Sequence, residues 1–181
     1  MLKDFVFITG NPNKLSWLNK FIGHEVESVD IDLDEVQSLD QEFVVKDKSI
    51  RAYQIAKKTV LIEDVSLKFN ALGGMPGPFI KWFLKSLGNE GIFKMLSSFN
   101  DKTASAEVIY CLYNGKEFKM FGGTTKGKIV SPLGDFGHGW DPLFVPDGSD
   151  KTFAQMDEME YFKYSPRNRA VLKLKEFLKE D

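Results

Sequence analysis

With a single cysteine, Cys111, in 181 residues, this chain cannot build an intrachain disulfide framework. Its core must form by burial, and the chain is long enough to bury most of its apolar surface that way. A lone thiol inside a strand-like run fits a reducing compartment, so a cytoplasmic location is expected. No apolar run approaches the roughly 18 residues needed to cross a bilayer, so no membrane partner is expected. The opening MLKDFVFITG is too short and too early-broken to read as a signal peptide. An excess of charge is also missing. Twenty-four Lys and Arg against 26 Asp and Glu leave a formal net charge of −2, which supports neither general nucleic-acid binding nor an anionic membrane surface. Histidines and cysteines form no cluster, and there is no internal repeat, low-complexity tract or long linker. What remains is 43% hydrophobic and 28% charged, the composition of an ordinary soluble globule, read as one domain over residues 1–181.

Residues 60–82 stand out. Val60-Leu61-Ile62 has the length and branching of a buried strand, and Glu63 and Asp64 end that run. A second strand-like segment follows, then Gly73-Gly74-Met75-Pro76-Gly77-Pro78, then an aromatic-rich helix carrying Lys81. Acids at the mouth of a buried strand, beside such a loop and a lysine, suit a metal and an anion. They equally suit a solvated strand end and an ordinary turn.

The rest of the chain supplies neighbours for that stretch. Residues 5–8 read as a central strand, stopped by Thr9-Gly10-Asn11-Pro12. Asn11 suits an N-cap and Pro12 a first helical position, with Leu15, Leu18 and Ile22 on the buried face of the helix. Lys14 then lies in the first turn, near free backbone N–H groups, which is a plausible phosphate site. Val29, Ile31 and Leu33 alternate with Asp30, Asp32 and Asp34, predicting a half-buried strand with an acidic face and Glu35 at its end. A helix is expected over 42–57, and two short ones over 79–87 and 92–99, split by Gly88 and Gly91. Alternation from Ala104 to Leu112, Asn114-Gly115 as a type I′ turn, and a return strand over 118–121 predict a hairpin. A further strand is expected at 126–130. Helices and single strands giving way to a meander predict a mixed α/β (α+β) fold rather than a doubly wound parallel sheet. Residues 136–142 join glycines to aromatic rings, fitting either a nucleobase or sugar site or a tight turn around a buried Trp140. Ser165-Pro166 opens a last helix with Arg167 in its first turn, where a cation opposes the helix dipole and hints at an anionic or carbonyl-bearing partner.

Thr9-Gly10-Asn11-x-x-Lys14, Glu63-Asp64, Gly73 to Pro78, Gly139-Trp140-Asp141-Pro142-Leu143-Phe144 and Ser165-x-Arg167, in that order, resemble the inosine triphosphate pyrophosphatase family. Residues 71–82 and Pro146-Asp147-Gly148 look similar to its eukaryotic-type members. The resemblance implies an elongated two-lobed fold, a long twisted mixed sheet flanked by helices, a substrate cleft between the lobes, and a homodimer. It implies hydrolysis of ITP, dITP and XTP to the monophosphate and pyrophosphate with Mg²⁺, Mn²⁺ being an alternative. Carried over by position, Thr9, Gly10, Asn11 and Lys14 would cradle the triphosphate. Glu35 and Asp64 would hold the metal, with Glu63 beside them, and Lys81 would contact phosphate. Lys48 matches a further phosphate-side lysine, with Lys46 close enough to leave the register open. His138, Gly139, Trp140, Asp141, Tyr161, Ser165 and Arg167 would form the base side. The catalytic set would be Asp64, Glu63 and Lys14, with either acid able to orient the attacking water. The chemistry agrees: a triphosphate needs lysines and helix N–H groups, and Mg²⁺ takes a few carboxylates plus phosphate and water oxygens.

The base side departs from the family pattern. His138 stands where an aromatic is expected in Gly137-His138-Gly139. Glu160-Tyr161-Phe162 replaces Glu-Lys-Asn, and Ser165-Pro166-Arg167 replaces Ser-His-Arg. Two donors for purine oxo groups are thereby lost, so relaxed or shifted base specificity is expected. The alternatives are an ordinary ITP/XTP-specific house-cleaning enzyme and a catalytically silent nucleotide-binding protein.

Overall fold

A computed structural model describes residues 4–179. Strand β1 (Phe5–Ile8) is buried along its whole length, as a parallel strand covered on both faces must be. Helix α1 (Pro12–Ile22) follows, then the short strand β2 (Ser28–Val29), helix α2 (Gln41–Ala56) and the long strand β3 (Thr59–Phe69). β1 lies parallel to β2 and to β3, with Phe5, Val6 and Phe7 opposite Thr59, Val60 and Leu61. Strand β4 (Pro76–Gly77) pairs antiparallel with Leu67 and Lys68 of β3. Helix α3 (Ile80–Leu96) leads to the hairpin of β5 (Thr103–Tyr113) and β6 (Phe118–Ile129), and β7 (Phe144–Pro146) pairs antiparallel with the end of β6. Helices α4 (Glu158–Tyr164) and α5 (Pro166–Lys179) complete the described chain. The strand order is β2-β1-β3-β5-β6-β7, with β4 beside β3, so the expected mixed α/β class is the observed one.

The chain divides into two compact units. One takes the chain up to Asp64, Val108–Gly123 and the chain from Arg169 on; the other takes Val65–Glu107 and Thr124–Asn168. In the first, Val6, Ile8, Val60 and Ile62 meet Val45 and Ala52 of α2, with Ile31 and Leu33 packed against them. In the second, Phe144 and Phe153 stack at 5.4 Å, with the Trp140 and Tyr161 rings against them.

Several expectations are met and several corrected. Asn11 caps α1 through its side chain as expected, and Asp40, which the sequence did not single out, caps α2 in the same way. α3 is broken at Gly88, whose φ of 63° and ψ of 178° are accessible to glycine almost alone. Glu63 and Asp64 do not end a strand, because β3 runs unbroken from Thr59 to Phe69. The strand expected through Leu33 stops at Val29, because its partner β1 ends at Ile8, the last rung of that ladder. Ile31 and Leu33 still turn inward and Asp30, Asp32 and Asp34 outward, so the alternation marked faces without a ladder. The β5–β6 turn is not type I′, since among the described non-glycine residues only Lys57 has positive φ. Instead the Asn114 side chain accepts the N–H groups of Lys116 and Glu117, both at 3.0 Å, and closes a four-residue loop between Tyr113 and Phe118. The two strands expected at 118–121 and 126–130 are one. A Cβ on Gly127 would strike the Val145 carbonyl oxygen and the Phe144 ring, so this glycine permits close approach rather than breaking the strand. Helix α4 was not anticipated.

Candidate active site

The first unit gathers most of the expected phosphate and metal residues. At the end of β1 the chain turns through Thr9-Gly10-Asn11. The Thr9 hydroxyl accepts the Asn11 N–H at 3.1 Å, and the Asn11 side chain accepts the Asn13 N–H at 3.0 Å. This turn starts α1 and sets Lys14 in its first turn. The Asp30 carboxylate lies against Gly10, where it would meet any added Cβ.

Glu63 and Asp64 lie in the stretch of β3 between its rungs with β1 and those with β4. Adjacent strand residues point to opposite faces, and these two acids have different partners. Glu63, only 5% exposed, accepts the Tyr110 hydroxyl on Oε2 at 2.6 Å and holds Lys14 Nζ 3.1 Å from Oε1. Asp64, 7% exposed, meets α2. Gln41 Nε2 donates to its Oδ2 and to its backbone oxygen, both at 3.1 Å, and Lys48 Nζ stands 3.6 Å from Oδ1. The same Lys48 ammonium lies 2.9 Å from Glu35 Oε1, so one cation bridges the two expected metal carboxylates. Lys46 instead pairs with Glu42 at 3.6 Å, so of the two lysines Lys48 is the one placed at these carboxylates. Burial pushes the Asp64 carboxyl above its ordinary value, opposed by Lys48, the Gln41 hydrogen bond and Lys14 and reinforced by Glu35.

Among the described residues no group of three or more His, Cys, Asp or Glu side chains is arranged to hold a metal. Two carboxylates facing one ammonium are the donor set of a hard cation that completes its shell with substrate oxygens and water. The residues therefore fit Mg²⁺ brought with a phosphate chain, and do not fit an all-protein cage.

The base-side residues fall in the second unit. His138 is exposed, while Trp140 packs against Phe144 at 5.6 Å and Phe153 at 6.0 Å. Positive φ at Gly137 and Gly139 folds the loop so that buried Asp141 accepts the His138 N–H at 2.6 Å. Asn89 donates to the Gly139 carbonyl at 3.0 Å. Burial raises the Asp141 carboxyl to about 7, against the pull of the His138 N–H and the Arg167 charge. Ser165 is fully buried between α4 and α5, accepting the Asn168 N–H at 3.4 Å. Tyr161 is turned into the aromatic cluster, 5.0 Å from Phe153 and 5.8 Å from Phe136, on the buried face of α4. Its neighbour Glu160 serves the N-terminus of that helix and pairs with Lys151. Lys81 also belongs to this unit, exposed on α3 with its ammonium 5.6 Å from the Trp82 ring. It is not among the residues that the first unit brings together.

Two residues at the first cluster went unnoticed in the sequence. Gln41 gave no signal, being a polar residue beside a helix cap. Tyr110 gave a faint one, as the single hydroxyl in an otherwise aliphatic buried row.

The family model described as the Ham1 family matches residues 5–177. A Fusarium vanettenii protein named inosine triphosphate pyrophosphatase is 43% identical over 96% of this chain and 95% of its own length. A Schizosaccharomyces pombe protein of the same name is 38% identical over 100% and 98%. The solved structure of the Staphylococcus aureus Ham1 protein superposes with a TM-score of 0.82 at 25% identity, covering 97% of each chain. Both named sequence relatives are fungal, in line with the eukaryotic-type resemblance of residues 71–82.

Proposed function

The chain belongs to the Ham1 family, and from that premise we propose that it hydrolyses nucleoside triphosphates such as ITP, dITP and XTP to the monophosphate and pyrophosphate. The observation that carries this reading is the paired cluster on β3. Lys14 is seated on Glu63, and Lys48 lies between Glu35 and Asp64. Relatives named inosine triphosphate pyrophosphatase along their whole length support the same activity.

In this proposal Glu35 and Asp64 hold Mg²⁺, or Mn²⁺ in its place. The ion supplies charge neutralisation on the phosphates and polarisation of water. The N–H groups of the Thr9–Asn11 turn and the start of α1 bind the phosphate chain, together with the Lys14, Lys48 and Lys81 ammonium groups. A water oxygen attacks the α-phosphorus, the bond from that phosphorus to the bridging oxygen breaks, and pyrophosphate leaves. The water proton passes to one of the two adjacent acids, Asp64 or Glu63, each of which is held at both oxygens by its own partners. Positioning and charge account for most of the rate.

On the base side, Asp141 and Arg167 hold the substrate with the backbone of the His138–Trp140 loop. His138 offers an exposed ring, and Ser165 supports the turn into α5. With Tyr161 committed to the aromatic cluster and Pro166 donating nothing, fewer donors meet purine oxo groups. We therefore assign relaxed or shifted base specificity rather than strict ITP/XTP selection. The working form is a homodimer in the cytoplasm; no helix of the described chain is long and apolar enough to cross a membrane.

The test is pyrophosphate release from ITP, XTP, dITP, dUTP, ATP and GTP, with and without Mg²⁺ and after chelation. Release that needs the metal supports the activity. No release from any nucleotide removes it, and a strict preference for ITP and XTP removes the specificity claim alone.

A further inference from the structure

Tyr110 sits in the middle of β5 with no exposed surface, its ring centroid 6.4 Å from that of Phe7 in β1. Its neighbours along the buried row are Ala106, Val108 and Leu112. A hydroxyl in such a row has to find an acceptor, and this one donates to Glu63 Oε2 at 2.6 Å. The opposite oxygen of the same carboxylate is the seat of Lys14, at 3.1 Å. A line of contacts thus runs from the centre of the sheet to the first turn of α1.

Building on the triphosphate reading of the Lys14 site, we propose that Tyr110 is a positioning residue, fixing the Lys14 ammonium through Glu63 where a polyphosphate oxygen meets it. Lysine is a flexible side chain with much rotamer freedom, and immobilising it on association weakens binding. Here the immobilisation is present beforehand. The terminal torsion of a glutamate is broad, so a carboxylate gripped at one oxygen swings, and whatever sits on its other oxygen swings with it. The Tyr110 hydroxyl grips the second oxygen. With the Glu63 side chain only 1% exposed, water has no ready access to replace that grip, while Lys14, at 26%, stays open to a ligand.

If Tyr110 merely filled the core, phenylalanine would serve as well, because Tyr110→Phe removes only the hydroxyl. The discriminating measurement is calorimetric binding of inorganic tripolyphosphate to the full chain in the presence of a chelator, which does not depend on turnover. Tyr110→Phe is expected to bind about tenfold more weakly, ~1.4 kcal/mol, with KM for ITP rising in parallel and kcat little changed. In a Lys14→Ala background the same substitution is expected to add nothing. Should Tyr110→Phe fail to fold, a fluorotyrosine at position 110 keeps the hydroxyl and reports by fluorine NMR. Its resonance is expected to move on adding tripolyphosphate, and to stay still in Lys14→Ala. Equal affinity of parent and folded Tyr110→Phe overturns the inference, as does a penalty that persists without Lys14. A fluorine signal indifferent to the ligand, or a parent chain that binds no tripolyphosphate, overturns it too. Failure of the hydrolytic reading looks different: no nucleotide releases pyrophosphate, while the Tyr110–Lys14 coupling remains measurable.

Discussion

Replacing Asp141 with asparagine measures what the base-side loop costs the fold. Asp141 is 4% exposed, and burial lifts its carboxyl from an ordinary 3.8 to about 7, despite the His138 N–H and the Arg167 charge. In the unfolded chain the same carboxyl ionises near its ordinary value. Between those two values the unfolded state has released a proton that the folded state retains. The unfolded state binds fewer protons there, so stability falls as pH rises through the window. The contribution is whole below the lower value and fully lost above the upper one. Each pH unit is worth about 1.4 kcal/mol, which sets a ceiling of ~4 kcal/mol for the full window. Asparagine has nearly the same shape, keeps a carbonyl oxygen for the His138 N–H and has no proton to lose. Urea unfolding of both proteins from about pH 4 to about pH 8 is the assay. Relative to its parent, Asp141→Asn is expected to gain ~2–4 kcal/mol across that range, whatever constant offset the substitution brings. Other buried carboxyls, Asp64 among them, titrate in both proteins and cancel. Parallel curves would refute the reasoning, because they would mean that Asp141 is ionised in the fold throughout.

Lys48→Ala is expected to lower kcat/KM for ITP by about 10²–10³, the usual loss when one charge-stabilising group is removed, whereas Lys46→Ala leaves it nearly unchanged; equal losses would undo the assignment of Lys48. Gly127→Ala should destabilise the fold by ~2–3 kcal/mol in denaturant, since the new methyl meets the Val145 carbonyl and the Phe144 ring, and a neutral result would show that β7 yields. The Lys102 ammonium donates to the carbonyls of Leu96, the last residue of α3, and of Ser97 and Phe99 just beyond it. Lys102→Met should therefore lose ~1–2 kcal/mol by thermal unfolding, and an unmoved midpoint would count those contacts as idle.

The legible parts of this sequence were those with local causes. Asn11 before apolar periodicity announced α1, and Gly88 announced the break in α3. Lys14, Glu63 and Asp64 were legible as candidates because charged groups at a helix start or in an apolar strand demand a reason. Their sharing out was hidden, because it depends on which strands and helices arrive from elsewhere. Nothing local shows that Tyr110, 47 positions beyond Glu63, supplies a donor to it. Nor does anything local assign Lys48 rather than Lys46 to Glu35 and Asp64, since that follows from the rotation of α2 about its axis. The packing of β6 was hidden for a related reason. Gly127 reads correctly as part of a strand, but nothing local shows that its missing Cβ leaves room for the Val145 carbonyl and the Phe144 ring. Where the Tyr161 ring packs was hidden too, since it depends on α4, whose Asp157 and Glu160 capping box sets the helix that turns it toward Phe153.

The alternation of Glu63 and Asp64 along β3 makes the strand's register a chemical quantity. Phe5, Val6 and Phe7 fix Thr59, Val60 and Leu61 in place, and everything downstream inherits that phase. A slip by one residue would turn both acids to the opposite faces. Only one of them would then lie level with the other's partners, across a side chain of the wrong length, and the second would face none of its own. Single-residue insertions or deletions between Thr59 and Glu63 should thus be far more damaging than substitutions there.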